Sequence, residues 1–186
     1  MRPVYVDSLG YLSATTLDVH SFSGLTNVSS NTGCISDTII ISGLPASINP
    51  SEISISVNYN EQSFGGPSNV NTDFKLQIPN GQRIFLGNES FTNGFMPFWD
   101  MNAVFSDQGG ILPTNGDPAF GNYKIPVNDT SAAGCSGVAI NGSNAMVLAS
   151  LGGGSINPNG MWILQIDAAV SGNNQHITGF SIDFGH

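Results

Sequence analysis

Charge is scarce in this 186-residue chain. Four lysines and arginines stand against thirteen aspartates and glutamates, and together they make up only 9% of the residues. Ordinary globular domains carry roughly 25%. The formal net charge of −9 repels a phosphate backbone and an anionic lipid surface alike, so neither nucleic acid nor a membrane surface is expected as a partner. No apolar run approaches the ~20 residues of a membrane-spanning helix, and none is expected. An apolar leader is missing too: Met1-Arg2-Pro3 runs straight into Val4-Tyr5-Val6-Asp7, without the core of a signal peptide. Met1 is either a native start, which favours a protein assembled in the cytoplasm and exposed later, or an addition to a piece of a secreted protein.

The usual signs of catalysis are also missing. There are three histidines, His20, His176 and His186, and no Gly-x-Ser-x-Gly elbow to present a nucleophile to one of them. Nothing around Cys34 or Cys135 points to an activated thiolate beside His20 or His176. Gly152-Gly153-Gly154-Ser155 lacks the Gly-Lys-Ser/Thr ending and the following helix of a phosphate loop, and reads as a turn. His176 reads as a solvated turn residue. The chain is therefore expected not to be an enzyme. Two cysteines this far apart do not make a zinc site; they form one long-range disulfide or remain two thiols. No amphipathic helix, internal repeat or coiled-coil heptad is visible.

What is present is turn chemistry and alternation. The chain holds 23 glycines and 10 prolines, which punctuate short strands. Ile53, Ile55, Val57 and Tyr59 alternate with Ser54, Ser56 and Asn58, and Phe74, Leu76 and Ile78 alternate with Asp73, Lys75 and Gln77. Pro79-Asn80-Gly81 then turns the chain into Arg83–Leu86, a hairpin signal lengthened by the proline. TIIIS (38–42) reads as a buried strand. NGMWILQIDAAVSGNNQHITGFSIDFG (159–185) reads as two strands around a turn, a closing β-hairpin in which the Trp162 indole needs a hydrogen-bond partner. Residues 88–144 look like long connections, AMVLASL (145–151) like a strand or one short turn, and 1–14 like a separate hairpin or arm. The expected fold is all-β: an antiparallel β-sandwich of jelly-roll type with long loops, over residues 15–186.

The order of these pieces resembles the P domain of proprotein convertases and related bacterial proteins, from about Phe22 to Phe184. Ile35-Ser36-Asp37 before TIIIS is similar to that family's opening strand. ISISVNYN is similar to its second strand, without the histidine that ordinarily follows. TDFKLQIPNGQRIFL, Val104-Phe105-Ser106-Asp107, PAFGNYKI and GMWILQIDAAVSGNNQHITGFSIDF resemble its later segments, with Gly179-Phe180 where the last tryptophan is usual. The resemblance implies a jelly-roll sandwich beside a subtilisin-like protease, and some such modules hold structural calcium.

Candidate sites follow. Asp37, Asp73, Asp107 and Asp117 lie in or beside loops rich in carbonyl and amide oxygens, which suit a hard cation; Asp73 and Asp107 are the calcium candidates. FTNGFMPFWDM (91–101) gathers large apolar side chains, and Phe95, Phe98 and Trp99 are candidates for stacking on a sugar or packing on a partner. The alternative is that they plug one end of the sandwich. Tyr5 and Tyr11 of the N-terminal arm are further contact candidates. The chain is expected to be a non-catalytic structural or binding module: a virion (phage) or outer-surface protein that acts in assembly or attachment, as a homo-oligomer or particle component. The alternatives are an accessory domain of a secreted subtilisin-like protease, or a glycan-binding module.

Overall fold

The structure is a computed structural model and describes residues 5–6, 12–13, 21–25, 28–30, 34–62, 72–88, 98–110, 120–125, 148–168 and 174–185. In chain order the strands are β1 (Tyr5–Val6), β2 (Leu12–Ser13), β3 (Ser21–Ser23), β4 (Val28–Ser30), β5 (Cys34–Ile41) and β6 (Ile53–Gln62). They continue as β7 (Thr72–Gln77), β8 (Arg83–Asn88), β9 (Phe98–Gly110), β10 (Phe120–Tyr123), β11 (Gly160–Ala168) and β12 (Asn174–Phe184). β1 and β2 pair antiparallel with each other. The rest form two sheets. The larger runs β10-β9-β6-β12-β3, with β4 also paired to β12; the smaller runs β5-β11-β7-β8.

Alternation dictates how the sheets meet. Ile53, Ile55, Val57 and Tyr59 of β6 are buried, and so are Met101, Ala103 and Phe105 of β9. From the smaller sheet, Ile35, Ile39 and Ile41 of β5 and Trp162, Leu164 and Ile166 of β11 turn inward. Each row removes about one side chain per two residues from water, and the two rows make one core between the sheets. The fold is thus an all-β sandwich. Among the described residues every ladder is antiparallel except one: β10 lies parallel to β9, with Phe120 opposite Asn102 and Asn122 opposite Val104.

The β7–β8 hairpin forms where Pro-Asn-Gly predicts it. Gly81 N–H donates to the Ile78 carbonyl at 2.9 Å, Ile78 N–H donates to Gln82 at 2.9 Å, and Gln82 N–H donates to the Asn80 side chain at 2.8 Å. Gly81 sits at φ 86°, a conformation that the adjoining Asn-Gly pair supplies cheaply.

Three expectations about the strands are corrected. TIIIS is not buried throughout: Ile39 and Ile41 turn inward, whereas Thr38, Ile40 and Ser42 are exposed. The closing segment is not a hairpin: β11 pairs with β5 and β7, whereas β12 pairs with β6, β3 and β4 in the other sheet. Both strands carry an apolar row, and both rows are buried by facing each other across the core. Trp162 and Phe184 meet edge to face, with ring centroids 5.6 Å apart. Residues 88–144 are not only connections, because β9 is the longest strand among the described residues, at 13 residues. Residues 148–153 are 3-10 turns, closed by Gly154 N–H on the Leu151 carbonyl at 2.9 Å.

Candidate functional site

The aspartates act on backbone. Asp107, on β9, receives Leu148 N–H on one carboxylate oxygen and Ala149 N–H on the other, at 2.9 Å. It thereby holds the first turn of 148–153 against the larger sheet. Asp37 lies on β5 and accepts from Leu25 N–H at 3.1 Å and Thr38 N–H at 2.7 Å. Asp73 pairs along the backbone with Asp167 and Asn88, but its side chain lies outside the described residues, as does Asp117. Of the two calcium candidates, Asp73 lies on β7 of the smaller sheet and Asp107 on β9 of the larger. Among the described residues no group of three or more His, Cys, Asp or Glu converges. Asp107→Ala is expected to lower stability by about 2 kcal/mol, because two amides lose charged acceptors at once. Asp107→Asn keeps one acceptor and should lose less. Urea midpoints of the two variants check the order.

Phe98 and Trp99 open β9 opposite Gln62 and Glu61; their side chains, and all of Phe95 and Tyr11, lie outside the described residues. Tyr5 is in β1, opposite Ser13. Cys34 begins β5 opposite Asp167, with its side chain, like Cys135, outside the described residues. His176 is not in a turn: it is a half-buried residue of β12, opposite Asn60 and Ser29. His20 and His186 are outside the described residues. No helix among the described residues is long and apolar enough to cross a membrane.

A different set of residues is brought together. The outer face of the larger sheet carries a groove of about 390 Å³, lined by Asn58, Tyr59, Asn60, Met101, Asn102, Phe120 and Thr178. Register explains it. Phe120 of β10 is opposite Asn102 of β9, Asn102 is opposite Asn58 of β6, and Asn58 is opposite Gly179 of β12. One row across four strands therefore reads Phe-Asn-Asn-Gly. Phe120 is 57% exposed, and its carbonyl accepts from the Tyr123 hydroxyl at 2.8 Å, a bond within β10. Ser106 Oγ donates to Asn122 at 2.8 Å and adds a side-chain tie to the β10–β9 ladder.

β12 departs from regular pairing at the groove. Its register with β6 shifts between Ile177 and Gly179, so Thr178 is an extra residue, exposed on the groove side. Bulges commonly re-aim a side chain in this way. Sequence reasoning placed aromatic contacts in 91–101 and missed this set. The available signal was the polar half of the alternation, Asn58 and Asn60 in ISISVNYN and Asn102 in DMNAVF. Comparison with protein-family models, curated proteins and solved structures finds no match to this chain.

Proposed function

We propose that this chain is a non-catalytic structural module of a virion or other outer surface, acting in assembly or attachment. The observation that carries the reading is the character of the sandwich's solvent faces. On the larger sheet, the described outward residues are mainly hydroxyls and amides: Ser54, Ser56 and Asn58 of β6, Asn102 of β9 and Ser181 of β12, with Asp183 at one end. On the smaller sheet, Ile40 (77% exposed) and Met161 (48% exposed) are cross-strand partners beside Thr38, Ile163 and Gln77. β5 is an edge strand of that sheet. The named residues of this patch include no carboxylate, and for a chain of net charge −9 such a patch is where two copies can meet with little repulsion. An exposed apolar pair there gives them surface to bury.

The jelly-roll and P-domain likeness belongs to the same proposal. Its support is that successive long strands change sheets, β5 to β6, β6 to β7, β8 to β9 and β11 to β12. The quoted segments TIIIS, ISISVNYN and TDFKLQ each coincide with part of a strand.

Solution mass by size-exclusion with light scattering tests the reading. A stable multiple of 19.4 kDa is the expected result, and Ile40→Lys is expected to reduce it to the monomer. A wild-type chain that stays monomeric at every concentration sinks the self-assembly reading. Repeating the run and a melting curve in calcium and in chelator tests Asp73 as an ion ligand: a bound structural ion raises the melting temperature, and identical curves remove calcium from the proposal.

A further inference from the structure

We propose that the groove on the outer face of the larger sheet is a binding site for a neutral saccharide. Phe120 is the stacking platform, and Asn58, Asn102 and Thr178 read the sugar hydroxyls. The inference rests on the attachment reading above and names the class of ligand.

The chemistry of the lining selects that class. A pyranose has an apolar C–H face and a rim of hydroxyls, each both donor and acceptor. An exposed aromatic ring suits the C–H face, because the ring's negative π surface meets weakly positive hydrogens. An asparagine amide offers an acceptor oxygen and two N–H donors side by side, a match for hydroxyls on adjacent carbons. The described lining places three asparagines and a threonine around one exposed phenylalanine. No lysine, arginine or carboxylate is among those lining residues, so a phosphate, sulfate or sialic acid carboxylate finds no counter-charge. The net charge of −9 opposes such anions further.

The dimensions agree. Neighbouring strands lie about 4.8 Å apart, so the row from Phe120 across Asn102 to Asn58 spans roughly 10 Å, the scale of a short oligosaccharide rather than a protein helix. The groove is open to solvent, which suits a chain entering along the face. Two local features shape its far side. The bulge at Thr178 adds a hydroxyl that regular pairing would not put there. At Gly179 the missing side chain leaves room for the Asn58 amide, since a Cβ at that position would lie 2.7 Å from Asn58 Nδ2. An alanine at 179 would push the amide off its place.

The test is titration calorimetry of the full chain with neutral oligosaccharides of glucose, galactose and mannose, and a sialylated oligosaccharide as the anionic control. The expected result is that one neutral series binds. Phe120→Ala should then weaken binding about tenfold or more, Phe120→Tyr should retain it because the ring is kept, and Asn102→Ala should weaken it several-fold. Both positions are exposed, so the melting temperatures of these variants should match the wild type. Neutral sugar binding that survives both Phe120→Ala and Asn102→Ala overturns the assignment of the site. Binding of the sialylated control alone overturns the ligand class, and binding of none of the sugars overturns the inference. In each of these cases the assembly reading still stands or falls on solution mass.

Discussion

Trp162→Ala is expected to destabilise the sandwich by about 4 kcal/mol, which lowers the melting temperature by roughly 8–16 °C for a chain of this size. Trp162 is fully buried. Its ring packs edge to face on Phe184 of the opposite sheet, which in turn meets Phe22 at 5.9 Å, so one indole joins β11 to β12 and β3 through two ring contacts. Its Nε1–H donates to the Pro158 carbonyl at 2.8 Å, which satisfies the one polar atom that burial would otherwise penalise. Alanine removes the ring, leaves a cavity between the sheets and strands that carbonyl. Trp162→Phe separates the contributions: it keeps most of the packing and loses the hydrogen bond, and should cost about 1–2 kcal/mol. A stability of about 5–15 kcal/mol is usual for a domain, so the alanine variant removes a large share of it. Denaturation midpoints of the two variants decide the matter. A loss under about 1 kcal/mol for Trp162→Ala would show that the sheets do not rely on this contact.

The surroundings of Trp162 show what could be read before folding and what could not. The need for an indole partner was legible. The actual use of Asn159 was not. Its side chain accepts from Leu44 N–H at 3.0 Å and donates to the Leu44 carbonyl at 2.8 Å, pinning the end of β11 to a connection 115 residues away in the chain. Alternation told which residues of β11 and β12 face inward, but period-2 patterning carries no information about which strand lies beside which. Hence the closing strands read as a hairpin although they sit in opposite sheets. β9 was hidden for another reason: outward Val104 is half-buried, so MNAVF loses clean alternation. The groove was the least legible part. Asn58, Asn102, Phe120 and Thr178 come from four strands, two of them forming the parallel pair and one bulged, and no local pattern links them.

The second large effect is expected at Asp37. Asp37→Ala should cost about 3 kcal/mol and lower the melting temperature by roughly 6–12 °C. Asp37 is 2% exposed on an inward position of β5, between Ile35 and Ile39. A carboxylate there is anomalous among isoleucines and needs a structural reason. The reason is the open edge of the sandwich. β5 ends the smaller sheet and β3 lies at the edge of the larger one, and residue 25 follows directly after Gly24, whose N–H already donates to the Phe180 carbonyl at 2.9 Å. Leu25 N–H then donates to Asp37 Oδ1 across the gap between the sheets, and Thr38 N–H shares the same oxygen. The side chain thus joins the two sheets where no strand can. Alanine leaves both amides short of that acceptor, and in a partly buried setting each such loss costs more than the bond it ends. Asp37→Asn preserves Oδ1 and should lose about half as much, whereas a leucine, better matched to the neighbouring isoleucines in polarity, should do no better than alanine. If the leucine variant instead proved as stable as the wild type, the carboxylate would not be the tie between the sheets, and apolar burial alone would be closing that edge.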